Sequence, residues 1–237
     1  VSDFFRFPHT AHIAWLNKGS PRDDKILNPV EIKELLHGPV VVEEKLDGAN
    51  LGLSLDDDGQ LRAQNRGQYL LHPYTGQFSR LVPWLAQHES ALHDILTPDL
   101  IVFGEWCAAQ HSLDYALLPD WFLIFDVFER SRQQFWSTTR RNALAQSAGL
   151  ATVPRLFEGE ITLDQLKHMV EHKPSHYRQG PGHVHAPLEG VVIRRESAQW
   201  CEARGKLVRA EFTQSIEEHW SRKALNWNRI HFESGER

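Results

Sequence analysis

The 237-residue chain contains two cysteines, Cys107 and Cys201, and a single methionine. No CxxC pair occurs, and no Cys/His cluster has zinc-finger spacing. A disulfide framework and a zinc-ribbon module are therefore both excluded. Sparse cysteine fits a reducing, intracellular compartment, and cytoplasmic residence is the expectation. No stretch is long and apolar enough to span a membrane. The first residues, VSDFFRFPHT, carry neither a basic leader nor an apolar core of signal-peptide type. Positive charge is also short: 26 Lys and Arg stand against 31 Asp and Glu, a formal net charge of −5 with histidine neutral. That argues against wholesale coating of a polyanion but leaves room for a local basic groove. Internal repeats and low-complexity tracts are absent.

What is present reads as an ordinary globular chain, 41% hydrophobic and 24% charged. Its eight tryptophans suit core or rim packing first and base stacking second. Residues 1–39 are irregular, with a short helix over 30–37 ended by Gly38-Pro39. An apolar strand follows at 40–45. An alternating strand at 49–55 enters a hairpin through Asp57-Asp58-Gly59. Helical spacing at Leu81, Trp84, Leu85, Leu92 and Ile95 predicts a helix over 78–95. Two buried strands are expected at 101–107 and 121–129. Thr138 is placed as the cap of a helix running to Ala148, and Thr162 with Gln165 as a capping box for a helix to His172. The loop 173–188 is rich in Pro, Gly and His. The last strands are expected at 189–195 and 206–212, and an amphipathic helix over 214–230 within a helical tail, 213–237. Histidines at 183 and 185, and the pair His168/His172, read as loop and solvent-facing helix rather than as a metal site. Strands and helices alternating along the whole chain indicate one α+β domain, 1–237, of packed, mostly antiparallel sheets flanked by helices.

The strand ends carry the chemistry. Lys45 and Asp47 lie in KLDG, Arg66 in NRG, Glu105 in FGEW, Phe125 and Asp126 in FDVF, Glu189 in EGVV and Lys206 in KLVR. Ionised groups in or beside apolar strands are costly unless paired or bound to a ligand. One such residue is ordinarily a structural ion pair. Six at the ends of strands able to converge describe a site for a charged ligand. A nucleophilic lysine needs a lowered pKa, which burial, neighbouring cations or a metal ion supply and carboxylates oppose. Glu105 and Glu189 can hold a divalent metal or a ribose hydroxyl. Lys206 and nearby arginines can neutralise phosphate, and Phe125 with Val192 can cover the two faces of a base.

In this order the motifs resemble those of the covalent nucleotidyltransferases: ATP-dependent DNA ligases, RNA ligases and mRNA capping enzymes. The stretches EEKLDGAN, NRG, FGEW, FDVF, EGVVIR and KLVR, whose motifs run from Lys45 to Arg209, are most similar to the RNA ligase 2-like branch. The resemblance implies a nucleotidyltransferase (ATP-grasp-like) fold and a three-step reaction. A lysine takes AMP from ATP, the AMP passes to an RNA 5′-phosphate, and a 3′-hydroxyl displaces it. It implies Lys45 as nucleophile, Asp47 as an orienting or metal-binding carboxylate, and Lys206 on the α-phosphate. It further implies Glu44 reading the base edge, Arg66 and Glu105 on the ribose, Phe125 stacking on adenine, Val192 opposite, and Glu189 placing Mg²⁺ or Mn²⁺. RNA is the expected partner, with Arg194, Arg195, Arg204 and Arg209 as a phosphate-tracking patch. Only 28 residues follow Arg209, so no C-terminal oligonucleotide-binding barrel is expected, and a partner domain or protein would replace it. The last motif departs from its relatives in carrying one lysine, with Arg204 or Arg209 in place of the second. A DNA nick ligase, a capping-type enzyme and an idle nucleic-acid-binding module are the competing readings.

Overall fold

A computed structural model describes residues 4–18, 25–178, 186–214 and 225–231. Two antiparallel sheets organise it. The first has the order β7-β1-β8-β9, built from Arg155–Gly159 (β7), Val40–Lys45 (β1), Gly190–Glu196 (β8) and Cys201–Val208 (β9). The second has the order β3-β2-β4-β5-β6, from Leu61–Gln64 (β3), Ala49–Leu55 (β2), Leu100–Trp106 (β4), Phe122–Glu129 (β5) and Gln134–Phe135 (β6). The α+β expectation stands. Neither sheet closes into a barrel among the described residues, and no described helix is long and apolar enough to cross a membrane.

Each sheet buries one face under helices. In β1, Val40 and Val42 pack with Val191, Ile193 and Leu207 beneath helices Pro29–Leu35 (α1) and Leu163–His172 (α4). In the second sheet, Leu51, Leu53, Val102, Phe122, Ile124 and Val127 pack against Leu81, Trp84 and Leu92 of Leu81–Ile95 (α2) and Ala145 of Thr138–Ser147 (α3). Side chains alternate across a strand, so the partners of these apolar residues point the other way. That parity directs Glu43 and Lys45 of β1, Val192 and Arg194 of β8, and Arg204 and Lys206 of β9 away from the helices. Register aligns them: Glu43 pairs with Val192, Val192 with Lys206, and Arg194 with Arg204.

Several boundaries differ from expectation, for local reasons. Ser137, not Thr138, caps α3, its side chain accepting from the Arg140 N–H, and Thr138 is the first helical residue. The capping box at Thr162 and Gln165 forms as expected, and a second forms at Asn28 and Glu31. The last strand ends at Val208, and Ala210–Gln214 (α5) turns into helix. The tail is not helical through 230: residues 225–231 run extended, with bridges from Trp227 to Ala109 and from Ile230 to Leu118. Trp227 packs against the core as a docking residue, with the Arg80 guanidinium 4.0 Å from its ring centre. Ile216 and Trp220, and the histidines at 183 and 185, lie outside the described residues. His168 and His172 stack on each other on the exposed side of α4, ring centres 4.1 Å apart.

Candidate active site

Where the two sheets face each other there is a cavity of about 600 Å³. Lys45 enters it from the end of β1, Glu105 from β4, Phe125 from β5 and Val192 from β8, with Arg66 in the loop after β3. Glu44, Arg194 and Arg204 also contribute to its wall. Lys45 is the sole lysine among the described residues that line it. Glu189 adjoins it: its Oε1 accepts a 2.6 Å hydrogen bond from Lys45 Nζ. The predicted residues converge because strands far apart in sequence become neighbours. Lys45 pairs with Gly190 in register, and Asn50 with Glu105.

The glycine of KLDG is required by a close approach between strands. A Cβ on Gly48 would come within 2.6 Å of the Trp106 carbonyl oxygen, so the residue must be glycine for β2 to close against β4. That approach lets the Gly48 N–H donate to Glu105 Oε1 at 2.9 Å. Gly190 is similar, since a Cβ there would meet the Leu207 carbonyl oxygen at 2.3 Å. Asp47 is anchored: its Oδ2 accepts from the Ser112 and Leu113 N–H groups at 2.7 and 2.8 Å, and its own N–H donates to the Tyr115 hydroxyl at 2.8 Å.

The site is electrostatically loaded. Burial pushes the Glu105 carboxyl up to about 8, against the opposing pull of Lys45. Burial likewise raises Glu189 to about 7, with Lys45 and, more weakly, Lys206 pulling it back. For Lys45, burial favours the neutral amine, but Glu189, Glu105 and Asp47 together outweigh it and its pKa is raised. Without further positive charge the lysine therefore stays protonated while the carboxylates compete for it. Glu189 Oε2 is buried and has no hydrogen-bond partner among the described residues. Such an oxygen fits a divalent cation. Among the described residues no three His, Cys, Asp or Glu side chains form a ready-made metal cage. Magnesium typically fits this situation, binding one or two carboxylates and completing its shell with phosphate oxygens and water.

These shifts have a measurable consequence. A carboxyl whose folded pKa is raised contributes stability that is complete below its unfolded value near 4.5 and is lost as pH rises through the folded value. Glu105→Gln removes that loss while keeping an acceptor for the Gly48 N–H. The ligand-free variant should therefore gain stability over the parent progressively between pH 5 and 8, by roughly 4 kcal/mol at the upper end. Thermal melting across that range checks it, and a pH-independent difference would show that Glu105 is not the titrating group.

The four arginines expected to track an RNA backbone do not form a surface patch. Arg194 is 1% exposed. It donates to Asp126 Oδ1 and Glu196 Oε1 at 2.7 Å each and to the Trp136 carbonyl at 3.0 Å. Alternation puts it on the inner face of β8, where it is a core ion-pair residue. Arg195 donates to the Glu34 carbonyl at the end of α1 (2.7 Å). Arg209 caps the end of α4 through the Glu171 carbonyl (2.9 Å). Arg204 pairs with Asp126 and lies over the Phe7 and Phe135 rings. Of Arg204 and Arg209, only Arg204 borders the cavity.

Some contributors had no sequence signature. Beneath Phe125 runs a buried network: Arg141 of α3, fully buried, forks onto both oxygens of Glu43 and donates to the Phe125 carbonyl at 2.6 Å. Phe7 and Thr10, from the N-terminal segment without a motif, form part of the cavity wall, as do Asn50 and His111. His9 Nδ1 lies 3.2 Å from Arg66 Nη1. The segment is held there by backbone bonds between Lys206 N–H and the Ala11 carbonyl, and between Ile13 N–H and the Lys206 carbonyl. Only the preference of an extended segment for a free sheet edge hinted at this.

Comparison with known proteins agrees with the geometry. No curated protein sequence matches the chain. Among solved structures, a variant RNA ligase of Naegleria gruberi with ATP and manganese matches with a TM-score of 0.59 at 17% identity, covering 78% of this chain and 54% of that one. Another variant of the same ligase, with AMP and manganese, matches with a TM-score of 0.61 at 15% identity, covering 89% and 57%. At these identities the likeness is one of fold, and the chain spans about half the length of the structures it matches. The sequence profile of the RNA ligase family matches residues 38–208, from just before β1 to the end of β9. With that match over most of its length, the chain belongs to the RNA ligase family.

Proposed function

We propose that this chain joins RNA ends using ATP, through a covalent lysyl–AMP at Lys45. The observation that carries the proposal is the position of Lys45: its amine sits on a rigid strand end, in a cavity of nucleotide size, 2.6 Å from a carboxylate whose second oxygen is orphaned. Uncharged, the amine attacks the α-phosphate, a phosphoramidate bond forms and pyrophosphate leaves. The AMP then moves to a 5′-phosphate, restoring the lysine, and a 3′-hydroxyl displaces it to form the phosphodiester. Phe125 and Val192 enclose the adenine from opposite sheets, Arg66 and Glu105 hold the ribose, and the Glu44 backbone meets the base edge. Lys206, two register pairs from Glu43 on the inner face of the sheet, takes the α-phosphate, with Arg204 as the second cation. Asp47 fixes the KLDG turn rather than touching phosphate. Mg²⁺ or Mn²⁺ at Glu189 Oε2 would supply positive charge that depresses the Lys45 pKa.

The direct test is the intact mass of the purified chain before and after incubation with a nucleotide and Mg²⁺. Addition of one AMP from ATP, and transfer of that AMP to a 5′-phosphorylated RNA rather than the equivalent DNA, is the expected result. GMP addition from GTP alone would point to a capping-type enzyme, preference for nicked DNA to a DNA ligase, and no addition from either nucleotide to a binding module.

A further inference from the structure

The extended tail, 225–231, lies against the segment that follows β4, and one side chain does most of the joining. Asn228 is 4% exposed. Its Oδ1 accepts from the Tyr115 N–H at 2.8 Å, and its Nδ2 donates to the Cys107 and Ala109 carbonyls at 2.8 and 3.3 Å. Backbone bonds flank it on both sides: Gln110 N–H to the Asn226 carbonyl, Asn228 N–H to Ala108, Arg229 N–H to Tyr115, and His231 N–H to Leu118. A single amide thus splints residues 107–115, which have no regular secondary structure of their own.

That splinted segment is what holds the KLDG turn. Its Ser112 and Leu113 N–H groups grip the Asp47 carboxylate, and its Tyr115 hydroxyl accepts the Asp47 N–H. His111, on the same segment, borders the cavity and is tied to Gln77 at 2.7 Å. We infer that Asn228 is a positioning residue: through Tyr115, Ser112 and Leu113 it fixes Asp47, and through Asp47 the direction in which the Lys45 amine approaches the α-phosphate. The inference rests on the function proposed above. An amide side chain suits the task because it accepts and donates at once, and three hydrogen bonds to three backbone positions define a plane as well as a distance. Aspartate is nearly the same shape but can only accept, so it keeps the Tyr115 bond and loses both bonds to carbonyls.

The test is Asn228→Asp in the full chain, with Tyr115→Phe as an independent break in the same relay. Two readouts are needed: single-turnover AMP incorporation as a function of ATP, and hydrogen exchange along the chain. Asn228→Asp is expected to slow incorporation at saturating ATP by about 10- to 100-fold while shifting half-saturation by less than about threefold, since misplacement of a reacting group costs rate rather than nucleotide binding. Exchange should rise at 107–118, in the 225–231 tail bonded to it and in the KLDG turn, and nowhere else. Tyr115→Phe, which cannot accept the Asp47 N–H, should reproduce the rate loss with 107–109 still protected. An unchanged rate in either folded variant overturns the inference, and so does a rate loss accompanied by faster exchange throughout the chain. If the parent chain takes up no AMP, the functional proposal fails; unaltered exchange at 107–118 in Asn228→Asp would then separately refute the splint.

Discussion

A Lys45→Ala chain should remain unmodified by ATP under conditions in which the parent gains one AMP. Lys45 is the sole lysine among the described residues lining the cavity, and Lys206 is assigned to the α-phosphate as a cation rather than as a nucleophile. Lys45→Arg should be equally inert, because a guanidinium stays protonated at any pH a protein tolerates and has no free electron pair to offer phosphorus. The fold should survive. The hydrogen bond that disappears is the one to Glu189, whose carboxyl already titrates near 7 and can stay protonated when its cation is removed. A loss of about 1 kcal/mol is the scale for one such bond. Intact mass spectrometry decides the first point and a denaturant melt the second. An AMP adduct on the alanine variant at the parental level would place the nucleophile elsewhere and end the present mechanism.

Arg141→Ala should be the most destabilising of the changes considered, by about 3–5 kcal/mol, because it strands a buried carboxylate. Glu43 is 2% exposed, and Arg141 satisfies both of its oxygens. The same guanidinium binds the Phe125 carbonyl, joining β1, β5 and α3 at a single point. Removing the charge on both sides should cost far less. A Glu43→Leu/Arg141→Met double variant replaces the ion pair with apolar volume, and such exchanges are often neutral in stability. Its remaining defect should be functional: with the 2.6 Å bond from Arg141 gone and only the longer 3.4 Å bond from Arg194 Nη1 left on the Phe125 carbonyl, the ring loses much of its support and ATP half-saturation rises. Urea denaturation of the two single variants and the double variant gives the coupling directly. If the double variant is as unstable as Arg141→Ala, the energy lies in packing around Arg141 rather than in the pair.

Much of this was legible in the chain itself. The pattern VVVEEK, with period-two alternation, already commits Glu43 and Lys45 to one face of a strand and Val40 and Val42 to the other. The same rule commits Val192 with Arg194, and Arg204 with Lys206. The capping box at Thr162 and the turn at Asp57-Asp58-Gly59 are equally local, and both formed where their residues placed them. The six motifs carry enough information to bring Lys45, Arg66, Glu105, Phe125 and Glu189 to a common site without any knowledge of how the strands are ordered.

Local rules also explain the errors. Alternation gave the face that Arg194 shares with Glu196 two residues on, but not that Asp126 of β5 stands opposite and pairs with it in a buried site. That two backbone N–H groups some 65 residues away anchor Oδ2 of Asp47, expected as an orienting or metal-binding carboxylate, was likewise invisible, because nothing at a fixed spacing announces them. The tail read as an amphipathic helix because periodicity measures a segment in isolation, whereas the 107–118 backbone offered residues 225–231 hydrogen bonds that an extended chain accepts. Covalent neighbours and the two-residue period of a strand are enough to nominate the candidate side chains and to say which face of each strand presents them. Which charges face one another across the cavity, and so which are neutralised and which stay open to a ligand, emerges from the packing of the two sheets. That outcome depends on contacts between sheets and loops far apart in the chain, and no spacing within a motif encodes it.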